Sequence, residues 1–91
     1  MADIDVVGAE VKQGRVNSLS VRFKGNLTRT IDRDTALHWL AEGHSLVPVA
    51  GHGHHLHRGQ ALERVEVEGE VYIRGDFSLE AADFVGFPKA H

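Results

Sequence analysis

The chain has 91 residues, of which 42% are apolar and 25% charged, and a formal net charge of −3. That composition fits one compact domain over residues 1–91 and excludes a disordered tail, a collagen-like repeat or two domains with separate cores. Cysteine is absent while histidine occurs seven times, which removes disulfide frameworks, thiolate catalysis and Cys-containing zinc knuckles.

The start, Met1-Ala2-Asp3-Ile4-Asp5, is acidic where a secretory signal is basic, and no apolar run approaches the length of a membrane span. A cytoplasmic protein is the expectation, without a membrane partner. The negative net charge argues against a dedicated nucleic-acid binder.

From Ile4 to Lys12 apolar residues alternate with polar ones, but the phase slips once at Val7-Gly8, which predicts a β-bulge. Gln13-Gly14 reads as a turn. Leu19, Val21 and Phe23 then alternate with Ser18, Ser20, Arg22 and Lys24, so two antiparallel strands are expected, the second ended or bent at Gly25-Asn26. Asp32 is a good helix N-cap, Asp34 suits the first turn, and Ile31 with Ala36 occupies the positions of a hydrophobic staple. Ala36, Leu37, Trp39, Leu40 and Ala41 fall on one arc, with Asp34, His38 and Glu42 opposite. This predicts an amphipathic helix of about ten residues, stopped by Gly43.

Ser45 to Ala50 is a short strand signal containing Pro48, placed at a sheet edge because proline lacks an N–H. After the glycine-bounded segment Gly51 to Gly59, Val65, Val67, Val71 and Ile73 share one parity. One long strand through Gly69 keeps them on one side. A hairpin at Glu68-Gly69 would instead set Val67 against Glu70 and Glu66 against Val71, so the single strand is preferred. Phe77 to Ala82, with Ser78 as N-cap and Gly86 and Pro88 beyond it, predicts a second, short helix.

The expected fold is therefore α+β, a mostly antiparallel four-stranded sheet with one main amphipathic helix and a short C-terminal helix, in the order ββαββα. That order resembles a β-grasp arrangement at the level of element sequence alone, from which no function follows. Charge is uneven along the chain. Val11 to Ile31 carries Lys12, Arg15, Arg22, Lys24 and Arg29 and no acid, whereas Glu63 to Asp83 carries seven acids against Arg64 and Arg74. A basic strand beside an acidic one in the same sheet would account for this; the other reading is a basic face for phosphate or an acidic partner.

The stretch with distinctive chemistry is Gly51-His52-Gly53-His54-His55-Leu56-His57-Arg58-Gly59. Neutral imidazole ligates zinc and also suits nickel and copper. Residues two apart in an extended chain project from one face about 6.5 to 7 Å apart, so His52 with His54, and His55 with His57, form two candidate pairs facing opposite ways. Glycine hinges at 51, 53 and 59 permit convergence.

Ordering the loop costs on the order of 8 to 18 kcal/mol, against roughly 10 to 16 returned by a good structural zinc site. The loop therefore needs to be held in shape by the sheet, or completed by His44 or an acid from elsewhere. Two signatures fail on Leu56, which stands where the His-x-His-x-Asp-His string of metallo-β-lactamase-type hydrolases needs Asp and where the alternation of histidine-triad nucleotide hydrolases needs His.

The resulting expectation is a small binding or interaction module, with His52, His54, His55, His57 and His44 as candidate ligands of Zn or Ni. The alternatives are a solvated loop with incidental histidines, an anion site using imidazoles and Arg58, and a metal-assisted hydrolase with Glu63 or Glu42 as base. A further alternative is a structural domain that dimerises through the edge strand containing Pro48, and the expected partner is another protein or a second copy. Protonating all seven histidines would move the formal charge from −3 to +4. Arg74-Gly75-Asp76 spells an integrin-recognition tripeptide but reads as a turn.

Overall fold

A computed structural model describes residues 3–23, 27–51, 56–76 and 81–88. Strand β1 (Asp3–Lys12) and β2 (Arg15–Phe23) form the expected antiparallel hairpin, with Gln13 (φ 52°) and Gly14 (φ 73°) as its two-residue turn. The expected bulge is present. Val6 pairs with Val21 and Gly8 with Ser20, which leaves Val7 as the extra residue.

Strand β3 (Leu27–Asp32) runs antiparallel to β2, and helix α1 (Arg33–Ala41) follows. The caps of α1 are those its residues prescribe. The Asp32 carboxylate accepts from the Thr35 N–H at 2.8 Å, and Ile31 and Ala36 are both buried. At the other end Gly43 N–H donates to the Leu40 carbonyl at 3.1 Å and His44 N–H to that of Trp39 at 3.0 Å, closing the helix in a Schellman motif.

Helix α1 then returns the chain to β4 (Ser45–Ala50), which lies parallel to β1 over Asp3–Val6. A two-residue strand β5 (His57–Arg58) pairs antiparallel with the end of β4, giving a five-stranded sheet of order β3-β2-β1-β4-β5. Strands β6 (Glu63–Val67) and β7 (Glu70–Arg74) form a separate hairpin. The core gathers Ile4, Val6, Leu19, Val21, Ile31 and Leu46 from the sheet with Ala36 of α1, Leu62, Ile73 and Val85; Phe23, Leu37, Trp39 and Leu40 pack at its margin. Ser18, Ser20 and Arg22 point to the other face, so β2 shows the alternation read from its sequence.

The expected fold is corrected in four respects. The sheet is five-stranded and mixed, where a mostly antiparallel four-stranded sheet was expected. Strand β3 escapes the sequence because it is an edge strand with only Ile31 buried, so it carries no apolar alternation. Its direction then forces α1 to act as a crossover, which makes β4 parallel to β1.

One helix is present among the described residues instead of two. Of the expected Phe77–Ala82 helix, residues 77–80 lie outside the described residues and Ala81–Ala82 form a bend.

Glu63 to Arg74 is a hairpin and not one strand, with Glu68 (φ 52°) and Gly69 (φ 81°) in its turn and Val67 opposite Glu70. The polarity argument fails because β7 is buried on both sides: Tyr72, Ile73 and Arg74 are all covered, so parity no longer separates core from solvent.

Strand β4 is also not at the edge, since β5 lies beyond it. The Pro48 carbonyl accepts from Gly59 N–H at 2.7 Å, so the nitrogen without hydrogen faces that short neighbour and the β1 ladder loses nothing.

Candidate functional site

The histidines are dispersed. His38 is exposed on α1 and lies 3.0 Å from Glu42. His44 is half-buried at the end of α1, its ring edge-on to Trp39 with centroids 6.3 Å apart. His57 is exposed in β5, opposite Ala50. His44 and His57 thus stand at opposite ends of β4, roughly 20 Å apart along an extended strand, and the structure does not bring them together.

His52, His54 and His55 lie outside the described residues. Among the described residues no group of three or more His, Asp or Glu side chains could hold a metal ion. Glu42 and Glu63, the candidate bases, are both exposed.

A buried and heavily bonded ionisable group is one the sequence reading passed over. Asp83 is buried, and its carboxylate accepts four hydrogen bonds. Oδ2 takes Val16 N–H at 2.8 Å and Arg33 Nε at 2.8 Å, while Oδ1 takes Ile73 N–H at 2.9 Å and a second Arg33 nitrogen at 3.1 Å. Its own N–H donates to the Gly14 carbonyl at 2.8 Å, and Arg33 also reaches the Val71 carbonyl at 2.6 Å.

One carboxylate therefore ties β2, α1 and β7 together. Burial opposes its ionisation, but the Arg33 guanidinium and the Ile73 and Val16 amides outweigh that and hold its pKa below the ordinary carboxylate value. Both oxygens are engaged, so Asp83 is a structural anchor and a poor general base. A lone acid inside Ala81-Ala82-Asp83-Phe84-Val85 is the signal that marks it: apolar neighbours imply burial, and a buried charge needs partners.

Opposite charge crosses from the side of the five-stranded sheet to the β6–β7 hairpin and C-terminal segment, as Arg33–Asp83 and as Arg15–Glu70 at 3.2 Å, and within the sheet Arg22 of β2 meets its register partner Asp5 of β1 at 3.3 Å. Arg74 is likewise held inside. It bonds Asp76 at 3.0 and 2.7 Å and the Ala82 carbonyl at 2.9 Å, and its guanidinium stacks on Phe84. The tripeptide Arg74-Gly75-Asp76 therefore closes on itself.

Where the C-terminal segment passes β1 it leaves an apolar groove. Phe84 joins β7 through Phe84 N–H to the Ile73 carbonyl and Gly75 N–H to the Phe84 carbonyl, both at 2.8 Å. The groove, of about 400 Å³, is lined by Ala9 and Val11 of β1 and by Asp83, Phe84, Val85, Gly86 and Phe87 of the C-terminal segment. Val11, Phe84 and Phe87 remain 50%, 44% and 39% exposed, and they are three of the five large apolar side chains that stay exposed among the described residues.

An apolar concavity of this size with aromatic walls is the ordinary form of a binding site. The sequence reading missed it because Phe84 and Phe87 sit in an irregular segment with no periodicity, and Val11 is one apolar position in the alternation of Ile4 to Lys12. Among the described residues no helix is long and apolar enough to cross a membrane. Comparison with protein-family models, curated proteins and solved structures finds no match to this chain, so the groove is read on its chemistry alone.

Proposed function

We propose that the chain is a small binding module whose contact surface is the groove between β1 and residues 83–87. The observation that carries this reading is the pair of half-exposed phenylalanines, Phe84 and Phe87, facing Val11 across about 400 Å³ of apolar space. Leaving such side chains in water forgoes roughly 25 cal/mol for each Å² of apolar surface that a partner would cover.

The test uses the apolar fluorophore anilinonaphthalene sulfonate on the folded chain. One-to-one binding with enhanced emission is expected, weakened at least tenfold in Phe87→Ser with the circular dichroism unchanged. Equal binding by both proteins, or none by the native chain, overturns the reading.

A second reading, metal binding at His52, His54, His55 and His57, is supported by the Ala50–His57 pairing, which closes the histidine segment at both ends with six residues between. Closure lowers the ordering cost that weighed against the site. Calorimetric titration with Zn or Ni is expected to show binding that is lost when the four histidines become alanine. Equal heats from both proteins would end this reading.

A further inference from the structure

We propose that the groove-side edge of β1 is a self-association surface on which a second copy of this chain adds as an antiparallel strand, making one continuous sheet through both copies. The proposal rests on the groove being a contact surface and names its occupant.

The sheet has room for a strand there. β4 pairs with β1 from Asp3–Ser45 to Val6–Pro48 and ends at Ala50, whereas β1 continues to Lys12. Among the described residues, Val7 to Lys12 is laddered with β2 alone. An edge of this kind offers a row of backbone donors and acceptors. Beneath it lies the groove, so an added strand would meet hydrogen bonds from β1 and apolar contact from Phe84 and Phe87.

The residues of the edge choose the partner. From Gly8 to Lys12 β1 itself carries no extra residue, the second irregularity of the hairpin leaving Asn17 of β2 unpaired, so β1 keeps its alternation with Ala9 and Val11 on the groove face and Gly8, Glu10 and Lys12 on the other. A two-fold axis perpendicular to the sheet keeps each face with its own kind only if it passes through a residue position. Centred on Glu10 it sets Glu10 against Glu10, two like charges. Centred on Ala9 it sets Glu10 against Gly8. Centred on Val11 it places Val11 against Val11 and Glu10 against Lys12 twice, once on each side of the axis.

Glu10 and Lys12 are exposed, with side chains 53% and 73% accessible, and are already 3.5 Å apart within the strand, so both can turn to a partner without disturbing the core. The edge is therefore complementary to its own copy in apolar contact and in charge.

Sedimentation equilibrium of the full chain over a wide concentration range, with Glu10→Lys, Lys12→Glu and the double exchange, tests this. The native chain is expected to dimerise. Each single variant sets like charges opposite at both positions and is expected to weaken the dimer about tenfold. The double variant restores opposite charges and is expected to return to within about threefold of the native chain.

A native chain that stays monomeric at every concentration overturns the proposal, as does a double variant no better than the singles. If that monomer still binds anilinonaphthalene sulfonate in a Phe87-dependent way, the groove remains a binding surface and only its occupant is wrong. A monomer that binds no fluorophore overturns both.

Discussion

From Asp3 to Val6, β1 is paired with β4, joined on its other side by β2 from Asp5 onward, and Ile4 and Val6 are buried in the core; from Val7 to Lys12 it keeps β2 alone, and Val7 and Val11 are 37% and 50% exposed. The two halves are held by different physics. The first is fixed by burial and by pairing with β4, doubled by β2 at Asp5 and Val6. The second is fixed from below, where Asp83 grips Val16 N–H and the Gly14 carbonyl of the β1–β2 hairpin and joins them to Arg33 and Ile73. Because one carboxylate braces the far half, that half need not bury its own apolar face. Support and contact are thereby carried by different residues, Asp83 for the former and Val11, Phe84 and Phe87 for the latter.

The sharpest way to break this division is Asp83→Ala, which leaves Arg33 and two amides without their acceptor. A loss of about 3 to 5 kcal/mol in denaturant unfolding is expected. Asp83→Asn keeps the shape and removes the charge. Since the folded pKa of Asp83 lies below its ordinary value of 3.8, its contribution is present above that value and fades as pH falls through the lower, folded one. The native chain should therefore lose stability below about pH 4 more steeply than the Asn variant; parallel acid profiles would refute the assignment.

In the buried half, Ile4→Ala should cost about 2 to 5 kcal/mol because it opens a cavity that a close-packed core cannot refill.

Gly75→Ala comes next. A Cβ there would lie 2.6 Å from the Val85 carbonyl oxygen, so the segment carrying Phe84 and Phe87 must shift. About 1 to 3 kcal/mol and a changed groove, read by amide chemical shifts of residues 84–87, are expected.

The smallest effect belongs to the open half. Val11→Ala should change monomer stability by under about 1 kcal/mol, and a cost as large as that of Ile4→Ala would show that the two halves of β1 are not different after all.

Sequence legibility followed the range of the interaction. The Asp32 cap, the Ile31–Ala36 staple, the Gly43 stop and the Val7 bulge were each readable, because each depends on residues within five or six positions of one another. The Gln13-Gly14 turn was legible for the same reason. The equivalent turn at Glu68-Gly69 was not, because the strand after it is covered on both faces and its polarity pattern no longer marks inside from outside. β3 was hidden by the opposite circumstance, an edge position that leaves nearly every side chain wet. The site divided similarly. The histidine loop was visible as composition, whereas the groove joins Ala9 and Val11 to residues more than seventy positions later and has no local signature.

By itself, then, the amino-acid sequence determined the first hairpin with its bulge, the capped helix and the residue types of the histidine segment, since caps, turns and alternation act over a few residues. Tertiary structure alone decided that β4 lies parallel to β1, that Asp83 is buried among four donors, and that Arg74-Gly75-Asp76 folds onto itself. It also left the outer half of β1 beside an apolar groove. Those outcomes depend on which surfaces meet after α1 crosses the sheet, and a buried charge or an open edge exists only once the neighbours that surround it, or fail to reach it, are in place.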